Sequence, residues 1–379
     1  MKFVFAPDSF KGTLSSLQVI EILEKAARLH FEDLQVIKVP IADGGEGTVE
    51  ALVTAMGGEY RYAEVTGPLE GMTVKARYGI SGNRTAIIEM AQASGLPLLD
   101  ETQKNPLVTT TYGTGELIRA ALDEGIREFI IGIGGSATND GGMGMAQALG
   151  IAFLDADGKN VGLGGRYLSE VRQIVMDGLD PRIRESRITV ICDVNNPLTG
   201  PRGATYVYGP QKGATGDMLE ILENGMKNYA RVIKSQLGID VDGIQGAGAA
   251  GGLGAALTGF LGATLKPGIE AILEFVNFDS LLDDVDLVVT GEGRIDEQSV
   301  FGKVPVGVAK HCKAKNVPVV AIAGIMGRNA SAVYEYGINS IMTTVNRAMP
   351  LEEALANAEE LLFDAADRMF RFIKTGMTL

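Results

Sequence analysis

Apolar positions recur along this chain in two rhythms, and their alternation predicts its elements. Lys2-Phe-Val-Phe-Ala6 opens it as a short buried strand, Phe3–Ala6. Val19, Ile20, Leu23 and Ala27 then fall on one helical face, predicting a helix over Leu17–Leu29 with Ser15 and Gln18 as its capping box. A strand over Leu34–Ile41 and a helix over Thr48–Met56 repeat the unit, and two such units in succession imply a parallel sheet with right-handed crossovers. Residues 60–92 change to a period of two, broken at Gly67-Pro68, Glu70-Gly71 and Ser81–Asn83, which predicts an antiparallel meander. A helix over Thr114–Leu122, an apolar run from Phe129, a helix over Met143–Leu149, a strand over Ile188–Cys192 and an amphipathic helix over Met218–Leu237 follow.

From Asp286 the opening pattern returns. Leu287–Thr290, Val317–Ala323 and Ile338–Val345 read as strands, and Leu351–Phe372 as one long amphipathic helix. The predicted class is α/β. Residues 1–60 and 285–379 form one discontinuous parallel-sheet domain, and 61–284 form an inserted domain of mixed α/β type.

Composition narrows the function. The 379 residues carry a formal charge of −13 and no basic patch, so a nucleic-acid partner is not expected. No apolar run is long enough to span a bilayer, and the chain opens on a strand rather than a targeting segment, so a cytoplasmic protein is expected. Cys192 and Cys312 lack metal-ligand spacing and read as packing residues. His30 and His311 are the only histidines, which disfavours a histidine triad or zinc site; both read as surface residues. A homodimer is compatible with the sequence.

Candidate chemistry centres on Phe129–Gly142, an apolar strand turning into Gly132-Ile-Gly-Gly-Ser-Ala-Thr-Asn-Asp-Gly-Gly142 before a helix. Glycines at 132, 134, 135, 141 and 142 let backbone N–H groups converge on an anion; Ser136, Thr138 and Asn139 add donors, and Asp140 could hold a metal ion. Past the predicted strand ends of the outer domain lie Asp8, Lys11, Asp43, Glu46, Glu292, Arg294 and Asp296. The inner domain adds Ser136, Asn139, Asp140, Asp193, Arg202 and Lys212. Carboxylates interleaved with lysine and arginine beside glycine-rich turns are what phosphoryl transfer with Mg²⁺ requires. Gly246-Ala-Gly-Ala-Ala-Gly251 matches Gly-x-Gly-x-x-Gly, but Val-Asp-Gly-Ile-Gln before it is a poor strand, and close packing of small residues explains it as well as a dinucleotide does. No Gly-x-x-x-x-Gly-Lys-Ser/Thr or His-Arg-Asp loop occurs, so P-loop and protein-kinase architectures are excluded.

Several ordered motifs resemble the type I family of bacterial glycerate kinases. They are Pro7-Asp-Ser-Phe-Lys-Gly12, Asp43-Gly-Gly-Glu-Gly-Thr48, Thr111-Tyr-Gly-Thr-Gly-Glu116, the Gly132–Gly142 loop, Asp193-Val-Asn-Asn-Pro-Leu198, Gln211-Lys-Gly-Ala214, Gly246–Gly254, Thr290-Gly-Glu-Gly-Arg-Ile-Asp-Glu-Gln-Ser299 and Gly302-Lys-Val-Pro305. The resemblance covers essentially the whole chain. It implies a Rossmann-like domain with a second α/β domain, and ATP-dependent phosphorylation of D-glycerate, usually to 2-phosphoglycerate. For a kinase of this kind we assign the phosphate contacts to Gly134, Gly135, Ser136, Asn139 and Lys212, and expect Asp193 and Asp296 as Mg²⁺ ligands. Asp43 is the expected base, with Lys11 and Arg294 beside it, and Asp8, Ser9, Lys11 and Arg294 are expected to bind glycerate. The residues alone leave two rivals: an NAD-dependent hydroxyacid oxidoreductase and a non-catalytic small-acid-binding protein.

Overall fold

A computed structural model of the protein describes residues 1–10, 12–41, 47–82 and 84–378. Two compact units emerge. One contains Met1–Asp43, Glu50–Met56 and Pro267–Leu379, the other Gly44–Val49 and Gly57–Lys266, as far as the described residues go. The pattern thus returns to the first unit at Pro267, ahead of residue 285. The reason is the helix Gly268–Phe275, whose Ile269 packs on Gly307 of the helix Val304–Ala314.

The first unit holds a five-stranded, wholly parallel sheet in the order Ser340–Thr343, Val319–Met326, Leu287–Ile295, Lys2–Pro7, Gln35–Lys38. Side chains alternate across it. Phe3 and Phe5 face the helices Ser16–Arg28 and Ala358–Gly376, where Phe31 and Phe370 complete an aromatic cluster; Phe3 and Phe370 stack with centroids 6.0 Å apart. Val304–Ala314 runs against the central strands. The expected capping box closes, with Ser15 Oγ accepting from Gln18 N and Gln18 Oε1 from Ser15 N.

Two expectations fail here. Leu351–Phe372 is two helices, Leu351–Ala356 and Ala358–Gly376, because Asn357 leaves helical geometry at φ −109° and ψ 24°. His30 is not a surface residue; its side chain is only 9% exposed and bonds Asp367 Oδ1 at 2.7 Å. His311 is more open and pairs with Asp279. Cys312 is fully buried as packing, and burial pushes its thiol up to about 12.

The second unit holds a six-stranded mixed sheet in the order Thr264–Lys266, Arg187–Ile191, Glu128–Gly132, Thr85–Glu89, Thr73–Ile80, Glu59–Thr66. The last three form the expected antiparallel meander, and the others run parallel. The helices Tyr112–Asp123, Gly216–Leu237 and Ala249–Leu261 contribute to its core, where Phe153, Tyr229 and Phe260 meet. Among the described residues, no helix is long and apolar enough to cross a membrane.

Candidate active site

The strand Glu128–Gly132 ends between two parallel neighbours, with Gly132 opposite Glu89 on one side and Ile191 on the other. Open α/β sheets bind ligands past such carboxyl ends. Gly134 is half-buried and Gly135 exposed, the latter at φ +73°, a conformation glycine adopts without strain. Gly135 O accepts from Leu96 N and Ala137 N donates to Ser94 O, each at 2.9 Å, pinning the turn. No described residue accepts from the N–H groups of Gly134, Gly135 and Ser136. These donors form the part of the loop suited to an anion.

Beyond Ser136 the chain turns inward, and Thr138, Asn139 and Asp140 are fully buried. Asp140 accepts from Thr111 N and Oγ1, both 2.8 Å, from Gly142 N at 3.1 Å and from Gly144 N at 3.3 Å. Burial raises its pKa while these donors pull it back. A carboxylate so enclosed is structural, so the reading of Asp140 as a metal ligand fails. The helix Met143–Ala148 is one short turn and a half, and its leading N–H groups go to Asp140 Oδ2 and Thr111 Oγ1, not to a ligand. Asn139 bonds Thr205 Oγ1 through Nδ2 at 3.1 Å and does not reach the opening. Lys212, 1% exposed, ends below the loop with Nζ donating to Ser136 Oγ and Thr138 O.

Asp193 follows Ile191 on the neighbouring strand and is exposed, so its carboxylate starts from the strand end beside Gly132. Its loop is braced further on. Thr199 donates N and Oγ1 to the two oxygens of Asp242, each at 2.8 Å, and Gly200 N donates to Glu223 Oε1 at 2.7 Å. Asp242 and Glu223 carried no sequence signal, since each looks like an ordinary acidic residue of a polar stretch. The Gly246–Gly251 match is not a dinucleotide motif. A 3₁₀ turn, Val241–Gly243, precedes it instead of a strand. Ala250, Gly251 and Gly252 take positive φ, Gly141 N donates to Gly251 O, and a Cβ on Gly251 would strike Thr138 O. These small residues buttress the buried half of the loop.

In the first unit, Pro7 lies opposite Gly291 and Asp8 N donates to Gly291 O, so Asp8, just past the end of its strand, lies beside Glu292 on the neighbouring strand. Gly291–Ile295 is strand rather than the expected loop, because it keeps pairing with Ile322–Met326 after its other neighbour has ended. Ser9 N donates to Asp8 Oδ1 at 2.7 Å. Glu292 is buried, accepting from Ser299 Oγ at 2.8 Å with Lys303 Nζ at 3.4 Å, and burial raises its pKa. Asp296 receives Arg294 Nε on Oδ2 at 2.9 Å and Gln298 N on Oδ1 at 3.0 Å. A cation on that carboxylate would face the guanidinium, so Asp296 suits orienting Arg294 better than holding a metal. Asp43, Lys11 and Glu46 lie outside the described residues. Among the described residues, no group of three or more His, Cys, Asp or Glu is arranged for a metal.

The sequence profile of the Glycerate kinase family matches residues 3–374. A glycerate kinase of Bacillus subtilis (strain 168) is 51% identical over 380 residues, spanning 100% of this chain and 99% of its own. A glycerate 2-kinase of Escherichia coli (strain K12) is 49% identical over 378 residues, with 100% and 99% covered. A crystal structure from Salmonella typhimurium LT2, assigned to glycerate kinase 2, superposes with a TM-score of 0.90 at 48% identity and full coverage of both chains. Likeness of this extent leaves no segment of the fold unaccounted for, and the chain belongs to the glycerate kinase family.

Proposed function

We propose that the protein is a glycerate kinase that transfers the γ-phosphoryl group of ATP to a hydroxyl of D-glycerate. Family membership over the whole chain is the observation that carries this reading, and the unspent N–H groups of Gly134–Ser136 give it a chemical basis. Phosphoryl transfer asks the protein mainly to position the reactants and neutralise charge. The Gly134–Ser136 turn supplies donors to the nucleotide phosphates. Mg²⁺ needs one or two carboxylates and keeps waters and phosphate oxygens, so the exposed Asp193 fits it without a larger cluster. When bound, the ion would neutralise phosphate charge.

Arg294 would grip the glycerate carboxylate, held by Asp296 through Nε so that its Nη groups remain for a bidentate contact. Ser9 would add a hydrogen bond, its backbone fixed by Asp8. Asp43 as base and Lys11 as substrate contact stay part of the proposal. The 2-hydroxyl is the favoured acceptor because the 49% identical Escherichia coli relative is a glycerate 2-kinase.

Incubation with D-glycerate and ATP–Mg, read by phosphorus NMR, tests this. The expected product is ADP with 2-phosphoglycerate. A 3-phosphoglycerate signal would reverse the regiochemistry. Absence of ATP consumption, with glycerate still bound, would favour a binding protein instead.

A further inference from the structure

Lys212 ends the 3₁₀ turn Pro210–Lys212, and its side chain runs into the protein, not out to solvent. Its amine donates to Ser136 Oγ and to Thr138 O, both at 2.6 Å. Burying an amine is costly; desolvation takes Lys212 down to about 7, with the Asp140 carboxylate acting in the other direction. In either protonation state the amine has two N–H groups to give, so both bonds persist. They join the two residues that flank Ala137, itself held by Ser94 O. The bond to Ser136 has a directional consequence. A hydroxyl that accepts from Lys212 keeps its own proton for another acceptor. Ser136 Oγ then donates in the same turn as the unspent N–H groups of Gly134 and Gly135.

We propose that Lys212 is a positioning residue for the nucleotide: it orients the Ser136 hydroxyl as a donor and fixes the spacing of Ser136 and Thr138, without itself touching the phosphates. This rests on the kinase reading above and departs from the expectation that Lys212 binds the nucleotide directly.

A double-mutant cycle tests it, with ATP–Mg affinity measured calorimetrically on the full chain for Lys212→Met, Ser136→Ala and the pair. Lys212→Met should weaken ATP–Mg binding by about 10–100-fold, the scale of a charge-assisted hydrogen bond. The double variant should be within about twofold of Lys212→Met alone, because the serine donates to the nucleotide only while the lysine orients it. Lys212→Gln, which keeps a donor, should recover part of the affinity, and it stands in for Lys212→Met in the cycle if the methionine variant does not fold. Additive losses would show that Lys212 meets the nucleotide by itself and overturn the proposal, as would unchanged ATP–Mg affinity in a folded Lys212→Met. Wild-type protein that fails to bind ATP–Mg would overturn both this proposal and the kinase reading, whereas additivity with tight wild-type binding would overturn this proposal alone.

Discussion

Residues 132–144 and residues 290–303 both set glycine among charged side chains at the end of a parallel strand, yet they hold those charges in opposite ways. In the first stretch the charge is sealed. Asp140 and its donors are buried, and Lys212 lies beneath them. In the second, Arg294 is 59% exposed while bonded to Asp296, and Lys303 is 38% exposed near Glu292. Sealed charges fix a backbone shape, since breaking them strands a group in low dielectric. Open pairs contribute little to stability and exchange partners readily. On the function proposed above, the first stretch would present main-chain donors in a set geometry, and the second would offer side-chain charge to a small acid.

The largest test of that contrast is Asp140→Ala, which leaves the N–H groups of Thr111, Gly142 and Gly144 without their acceptor. It should cost about 3–5 kcal/mol in urea unfolding; a loss near zero would mean that the enclosed carboxylate is dispensable. Arg294→Lys should act on catalysis and leave the fold alone. We expect kcat/KM for glycerate to drop about 10–100-fold, because an ammonium cannot make the bidentate contact. The unfolding free energy should move by less than about 0.5 kcal/mol, and ATP–Mg affinity should hold. Equal loss of ATP binding would erase the division of labour between the two stretches.

The smallest test uses pH. Lys212 titrates at about 7 folded and near 10.5 ordinarily, so between these values the unfolded chain binds more protons. Its contribution to stability rises with pH across that window and is lost as pH falls through 7. The slope from this one residue is at most about 1.4 kcal/mol per pH unit. Lys212→Met should flatten it between neutrality and about pH 9, and an unchanged slope would place the effect on another group.

Local chemistry made much of the fold legible. Ser15 and Gln18 marked a helix start, and period-two alternation marked the meander, because capping and pleating act over a few residues. What escaped was decided at a distance. Gly291–Ile295 looks like a loop, yet Ile322–Met326 holds it as strand. The antiparallel partners Ala152–Leu154 and Gln173–Val175 are too short to show a rhythm. At the site, the glycines at 134 and 135 announced a turn, but which donors remained for a ligand depended on Asp140 and Thr111 claiming the rest. The inward course of Lys212 depends on Ser136 and Thr138, more than seventy residues before it in the chain.

The pairing of Lys2–Pro7 with Leu287–Gly291 bears on how the molecule is made. During synthesis Lys2–Pro7 emerges long before Leu287–Gly291, the neighbour that makes it central. The six-stranded sheet, complete by Lys266, has all its strands available much earlier. A ribosome stalled between those points would carry an apolar strand with one edge uncovered, the sort of species chaperones exist to shield.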